Sequence, residues 1–458
     1  MAITDKFTAM KIIIAGAGEV GCHLAKLLAE SNHDITIIDN DADRLAKVGE
    51  LVDSVTIFGN PTSISVLTAA KVDKTDLFVA VFPDADQNVN IVSAMLAKEL
   101  GAKKVTARIN TAEYLSYENK SLFTQLGVDL MFYPERMAAY EIADIVRESG
   151  MTEFVQFGHG KLQLVEFKLE EGSPLIGREI SDFVYPIEHL PFRIVAISRG
   201  EGTLIPSRDS KMRLGDLVYV MALRDTVYEL LKEAGKREVA VKNVAILGGG
   251  PMGEMLAAKL EKSIPYVKII ETDRRRCEEL SQILEKTMII NGDGRNTEWL
   301  YEENVQDSDV FVAVTGDSET NIMTCAAAKR MGVAKTIAEV ENIEYIKLAE
   351  GMGVDAVINK KLLTASRIFR FTLTDKVRSI KYLSESDAIA LEYIVNPGSP
   401  ATKAPVKDLA IPPDAIIGGV IRGTESFIEY GSTQIAAYDH VVVFTLPSSL
   451  KELDKLFM

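Results

Sequence analysis

The sequence predicts an α/β protein built of two tandem Rossmann-like domains, each a doubly wound parallel sheet followed by a small α+β C-lobe. Three observations carry this. A strand, a glycine-rich turn and an acidic strand end occur as IIIAGAGEVG (12–21) running to IIDN (37–40), and again as VAILGGGPMG (244–253) running to IIET (269–272). In each block three glycines at G-x-G-x-x-G spacing follow an apolar run, and a carboxylate, Asp39 or Glu271, stands eighteen residues beyond the last glycine. The offset is 232 residues from Gly16 to Gly248 and from Asp39 to Glu271, and 233 from FVAVFPDADQN (78–88) to FVAVTGDSETN (311–321). Solenoid units run only to about 50 residues, so the repeat is a duplicated domain.

The first half alternates strand and helix at the pace of βαβ units. KIIIAGA is a strand and EVGCHLAKLLAES a helix, with leucine and alanine at three- and four-residue steps. There follow strand DITIID, helix DADRLAKVGE, strand SVTIFG, helix PTSISVLTAAKV, strand DLFVAVF, helix DQNVNIVSAMLAKELG, strand KKVTARI and helix TAEYLSYENKSLFTQLG. VDLMFYPERMAAYEIADIVRE adds a short strand and a helix that leaves the sheet. The second half repeats the order from NVAILGGG to VDAVINKKLLTASRIFRFT.

After each such unit the texture changes to short period-2 strands broken by turn pairs such as Arg199-Gly200, which predicts a small antiparallel sheet with one or two helices. The two lobes are matched with Tyr438-Asp439-His440 over Leu214-Gly215-Asp216 and Glu429 over Pro206. The expected domains are 11–150 and 243–372 for the Rossmann units and 151–231 and 373–458 for the lobes, with a charged linker at 232–242. The first ten residues read as a loose extension.

Composition narrows the function. A formal charge of −15 with no lysine or arginine block argues against nucleic acid as a partner. Three scattered cysteines show neither a disulfide framework nor metal spacing and fit a reducing cytoplasm. No apolar run approaches the 18 to 20 residues that cross a bilayer.

The fingerprints carry the chemistry. Gly16 permits the tight turn, Gly18 lets backbone approach a phosphate, Gly21 lets helix pack on strand, and the helix N-terminus offers amides to the anion. Asp39 would meet the ribose hydroxyls and favours NAD or adenosine nucleotides over NADP. Gly248, Gly250 and Gly253 repeat the pattern, although Gly248-Gly249-Gly250-Pro251 departs from the first copy. Setting TARI over IAEV matches Arg108 with Glu339, so the first pocket is expected to prefer the more highly charged phosphate chain. Cys22, early in the fingerprint helix, suits either a redox switch or plain packing, with packing the expectation. Asp39, Asp41 and Asp43 could draw a divalent ion but are expected to serve the second helix as cap and dipole partner, and Asp84, Asp86, Asp317 and Glu319 likewise precede helices. Five scattered histidines have no ligand spacing, and neither a catalytic group nor a metal site is expected.

The whole pattern, IIIAGAGEVG, IIDNDADRL, FVAVFPDADQN, VTARIN and the lobe LVEFKLEEGSPLIGREI…LVYVMAL with their second copies, resembles the Trk potassium-uptake regulatory subunits with tandem RCK (KTN) domains. The resemblance covers nearly the whole chain. It implies nucleotide contacts, to NAD(H) and/or ATP/ADP, from Gly16, Ala17, Gly18, Glu19 and Val20, Asp39, Phe82, Pro83 and Arg108. In the second copy it implies Gly248, Gly249, Gly250, Pro251, Met252, Glu271, Thr315 and Gly316. It further implies a cytoplasmic homo-oligomer, dimer or tetramer, lying on the inner face of the membrane and gating a potassium-transporting membrane subunit. An NAD-dependent oxidoreductase would need a proton-transferring residue that neither lobe offers. A free-standing nucleotide or redox sensor is the other alternative.

Overall fold

Strands buried on both faces need unbroken apolar runs, and the chain supplies them as KIIIA, LFVA, NVAIL and VFVA, with every residue after the first buried or nearly so. The computed structural model describes residues 10–30, 33–82, 87–147, 153–158, 160–183, 191–200, 202–235, 241–369, 377–382 and 388–458. The first Rossmann sheet holds β1 (Lys11–Ala15), β2 (Asp34–Asp39), β3 (Val55–Phe58), β4 (Leu77–Ala80), β5 (Lys104–Arg108) and β6 (Leu130–Phe132), in the order β3-β2-β1-β4-β5-β6 and parallel throughout. Between them run α1 (Glu19–Glu30), α2 (Ala42–Leu51), α3 (Ile64–Ala69), α4 (Gln87–Glu99) and α5 (Tyr117–Gln125), and α6 (Pro134–Arg147) follows β6. The order reverses between β1 and β4, which opens a crevice at their carboxyl ends.

The first lobe is an antiparallel sheet of β7 (Glu153–Phe157), β8 (Leu162–Lys168), β9 (Phe192–Arg199), β10 (Gly202–Leu204) and β11 (Leu217–Leu223), ordered β10-β9-β11-β8-β7, with α7 (Val227–Glu233). The second Rossmann sheet repeats the first: β12 (Asn243–Leu247), β13 (Tyr266–Glu271), β14 (Met288–Asn291), β15 (Val310–Ala313), β16 (Lys335–Glu339) and β17 (Ala356–Ile358), ordered β14-β13-β12-β15-β16-β17. Its helices are α8 (Pro251–Leu260), α9 (Arg274–Ile283), α10 (Thr297–Glu302), α11 (Ser318–Arg330), α12 (Tyr345–Gly351) and α13 (Lys360–Phe369). The second lobe holds β18 (Val377–Tyr382), β19 (Ile389–Ile394), β20 (Ala415–Arg422), β21 (Glu425–Ile428), β22 (His440–Thr445) and α14 (Leu450–Phe457), with the strand order β18-β19-β22-β20-β21.

Among the described residues, 10–138 and 360–369 form one compact unit, and 139–359 with 377–458 form another. Each therefore borrows a helix across the repeat. In the first unit α13 packs against α1. In the second, the last turns of α6 lie on the second Rossmann sheet, where Lys335 Nζ donates to the Ile145 carbonyl at 3.0 Å and Lys259 Nζ sits 3.9 Å from the Tyr140 ring centre. The two lobes share a core within the second unit: Leu164, Tyr219 and Met221 pack with Ala390, Val442 and Phe444.

The lobe alignment needs one correction. Asp216 accepts from Arg199 Nε and Nη2, both at 2.7 Å, and from Arg213 N; Asp439 accepts from Arg422 Nε and Nη2 at 2.9 and 2.6 Å and from Ala436 N. Asp439 is thus the counterpart of Asp216, and Tyr438 (φ 67°) that of Gly215 (φ 84°). The earlier match was one residue out because a left-handed tyrosine hides the turn position that glycine advertises.

The second lobe also buries an acid. Burial pushes the Asp454 carboxyl up to about 6, against the hydrogen bond with Tyr393, which lowers it. A carboxyl that ionises near 3.9 in the unfolded chain then holds its proton more tightly when folded, so its stabilisation is whole below about pH 4 and is lost as pH rises to about 6. Asp454→Asn should unfold at higher urea than the parent protein at pH 7.5, by about 2 to 3 kcal/mol, and should match it at pH 4. Equal differences at both pH values would show that Asp454 does not titrate with folding.

Candidate nucleotide-binding sites

Both glycine turns lie at the carboxyl ends of their central strands, and the backbone leaves no choice of residue at two positions in each. A Cβ on Gly21 would fall 1.9 Å from the Gly16 carbonyl oxygen, and one on Gly253 2.0 Å from that of Gly248. Gly16 (φ 118°) and Gly248 (φ 107°) take left-handed conformations, with room for no Cβ against Phe82 N and Val314 O, both at 2.9 Å. Gly18, Gly250 and Gly316 differ: a Cβ there would meet nothing within 4 Å. Those three are free of packing demands, as a backbone kept bare for a ligand requires.

In the first site Asp39, fully buried at the end of β2, accepts from Ala17 N at 2.5 Å and from Asp41 N at 2.9 Å. Asp41 accepts from Asp43 N and Arg44 N and so caps α2, while Asp43 sits in its first turn. Glu19 and Val20 open α1, and Glu19 pairs with Lys361. Phe82 is buried just past β4; Pro83, Asp84 and Asp86 lie outside the described residues. Arg108 ends β5 with Nη2 3.8 Å from Glu135 Oε1, and Lys360 Nζ lies 3.8 Å from the same oxygen.

In the second site Glu271 ends β13 and accepts from Gly249 N at 2.7 Å and Asp273 N at 2.8 Å. Gly250 is the N-cap of α8, Pro251 its first residue, and Met252 is buried. Leu280 and Glu271 together account for the third glycine: a Cβ at 249 would sit 2.6 Å from Leu280 Cδ1 and 3.0 Å from Glu271 Oε2. Arg276 then crosses the turn, donating from Nε to the Gly249 carbonyl at 2.8 Å and from Nη2 to Glu254 at 2.5 Å. Thr315 follows β15, and Glu339, buried, ends β16 where Arg108 ends β5. The two sites therefore oppose a guanidinium to a carboxylate.

An asparagine that the sequence reading missed fastens each crevice. Asn90 Oδ1 accepts from Phe82 N at 2.8 Å, and its Nδ2 donates to the Phe82 and Arg108 carbonyls, both at 3.1 Å. Asn321 does the same between Thr315 and Glu339. The offset of 233 thus fails at its last residue: Asn321 corresponds to Asn90 and not to Asn88, because the first repeat has two more residues between its strand and helix. A chance asparagine at the wrong register concealed this.

The remaining candidates take ordinary roles. Burial pushes the Cys22 thiol up despite Lys26, which lowers it, so helix position confers no thiolate character. Asp317 caps α11 by accepting from Thr320 N. Among the described residues no group of three or more His, Cys, Asp or Glu is placed to hold a metal, and no helix is long and apolar enough to cross a membrane. Between the lobes lies a hollow of about 320 Å³ edged by Arg193, Pro206, Pro412 and Glu429, where Arg193 and Glu429 satisfy each other.

A TrkA-N domain model matches residues 12–134 and 244–360, and a TrkA-C domain model matches 164–235 and 390–458. The chain belongs to the TrkA family. A Trk system potassium uptake protein TrkA homolog of Archaeoglobus fulgidus is 35% identical over 450 residues, 98% of this chain and all of that one. The Trk system potassium uptake protein TrkA of Vibrio alginolyticus is 32% identical over 455 residues, 98% of each. Among solved structures, the GsuK RCK domain aligns with TM-score 0.61 at 17% identity, covering 98% of this chain and 95% of that one. The GsuK channel bound to NAD aligns with TM-score 0.61 at 16%, covering 98% and 79%. At these identities the likeness is one of fold.

The glycines separate fold from ligand. Gly21→Ala should destabilise the first Rossmann unit by at least about 3 kcal/mol, since backbone must move. Gly18→Ala should change stability by less than about 1 kcal/mol. Calorimetric unfolding of both variants checks this, and a comparable loss in each would mean that Gly18 is also kept for packing.

Proposed function

We propose that this TrkA-family chain is a nucleotide-binding regulatory subunit, without catalytic activity of its own, that gates a Trk-type potassium-transporting membrane protein. The observation that carries the reading is the doubled crevice: each has a glycine turn whose middle glycine is bare of packing contacts and an acid at the end of the next strand. NAD(H) and ATP or ADP are the ligands proposed, through Gly16 to Val20, Asp39, Phe82, Pro83 and Arg108 in the first site and Gly248 to Met252, Glu271, Thr315 and Gly316 in the second. That a GsuK channel is described as NAD-bound supports the choice of ligand. The Trk system names of the relatives support the choice of transporter.

A fully buried Asp39 already receives two backbone amides, and an ionised carboxylate has about four acceptor positions, which leaves two for ribose hydroxyls. Arg108, set against Glu135, supplies a cation that a phosphate chain can share, where Glu339 in the second site would repel it. The protein can shift its membrane partner only by the ligands' differential affinity for two assembled shapes, with coupling of about 1 to 3 kcal/mol. Four Rossmann units on two chains would close a symmetric layer on the cytoplasmic face of a transporter.

Asp39→Ala should weaken adenosine-containing ligands at the first site by about tenfold or more, and Arg108→Ala should weaken ATP more than adenosine. Titration calorimetry checks both; unchanged NADH and ATP binding in Asp39→Ala excludes the site. Potassium flux through a Trk-type membrane subunit, reconstituted with and without this protein at saturating nucleotide, should differ, and equal flux favours a free-standing sensor instead.

A further inference from the structure

Lys361 lies far from the first fingerprint in sequence, at the start of α13 in the second repeat, yet it belongs to the first compact unit. Its side chain is only 13% exposed, and its ammonium pairs with the carboxylate of Glu19, the first residue of α1. Burial, then Lys26 and Lys361, hold the His23 imidazole below its ordinary range, and α13, which carries Lys361, packs against α1. Lys360, beside it, approaches Glu135, the carboxylate that Arg108 also faces. Lys361 thus meets a carboxylate at the N-terminus of a helix whose turn is left bare at Gly18, while Arg108 and Lys360 share Glu135 at the start of α6. Packing the lysine stem on its neighbours while the head stays at the turn sets a cation where a ligand's phosphate can meet it. The exchange is one-sided in charge, because the α6 residue corresponding to Lys361 is Glu135.

We propose that Lys361 is a phosphate ligand of the first site, so that a nucleoside di- or triphosphate there is held partly by the second repeat. This rests on the first site being a nucleotide pocket. On binding, a terminal phosphate takes the Lys361 ammonium from Glu19, and α13 is drawn to the glycine turn. NAD, whose pyrophosphate ends in a second nucleoside, offers no terminal dianion and gains less. The second repeat therefore feels the charge of the first site's ligand through its own helix.

The test is titration calorimetry of the full chain with ATP, ADP and adenosine. Lys361→Gln should weaken ATP by about tenfold and leave adenosine unchanged, as loss of one charge-assisted contact predicts, while Lys361→Arg should largely restore it. Glu19→Gln breaks the same ion pair without removing the cation, so it should not reproduce the selective loss of ATP relative to adenosine. Equal weakening of ATP by Lys361→Gln and Glu19→Gln would show that the pair only fastens α13, and would overturn the inference. Unchanged ATP binding in Lys361→Gln would overturn it as well. If the parent protein binds none of the three ligands, the pocket itself fails, and that outcome is distinct from the others.

Discussion

Each Rossmann unit depends on one close approach, that of the last fingerprint glycine to the carbonyl of the first. With 1.9 Å between that oxygen and the place of a Cβ on Gly21, helix α1 can begin only where the turn permits, and its axis is thereby aimed at the crevice. The aim of the helix fixes where its unpaired amides point, and the asparagine clasp of Asn90 fixes the opposite wall by joining the ends of β4 and β5. The backbone amides a ligand could use in this crevice are set by packing before any ligand arrives. Preorganised donors of this kind bind without a reorganisation cost.

The second unit shows how such a turn tolerates change. Where the first copy has Asp39 and Ala17 the second has Glu271 and Gly249, and a Cβ on Gly249 would crowd Leu280 Cδ1 at 2.6 Å and Glu271 Oε2 at 3.0 Å. The amide-to-carboxylate hydrogen bond survives at 2.7 Å against 2.5 Å. The second turn also gains Arg276, whose guanidinium spans from the Gly249 carbonyl to Glu254, whereas the matching Arg44 turns away to Asp41. Two pockets of common descent thus keep one backbone geometry while their charges diverge.

The fold was legible in the sequence because glycine spacing and apolar runs are local signals, and the repeat stated them twice. The alternation of strand and helix, the doubly wound class and the places of Gly16, Asp39, Gly248 and Glu271 at strand ends and turns followed from those signals alone. What stayed hidden was non-local. Asn90 was masked by a neighbouring asparagine at a misleading offset, and Tyr438 concealed a turn because tyrosine seldom adopts positive φ. The pairing of the two lobes into one core, with Tyr219 against residues of β22, has no sequence signature, since apolar strands look alike whatever covers them. Nor does any local pattern announce that Lys361 stands beside Glu19.

The exchange of helices has a bearing on ancestry. A gene fragment coding for either repeat alone would make a sheet deprived of one covering helix and leave another helix with no sheet to cover. A single-copy forebear could have met that condition only as a pair of chains, each lending the helix that the other lacked. Fusion of the two genes would then have turned an encounter between molecules into a fixed one-to-one stoichiometry. From that point the two halves were free to drift apart in charge.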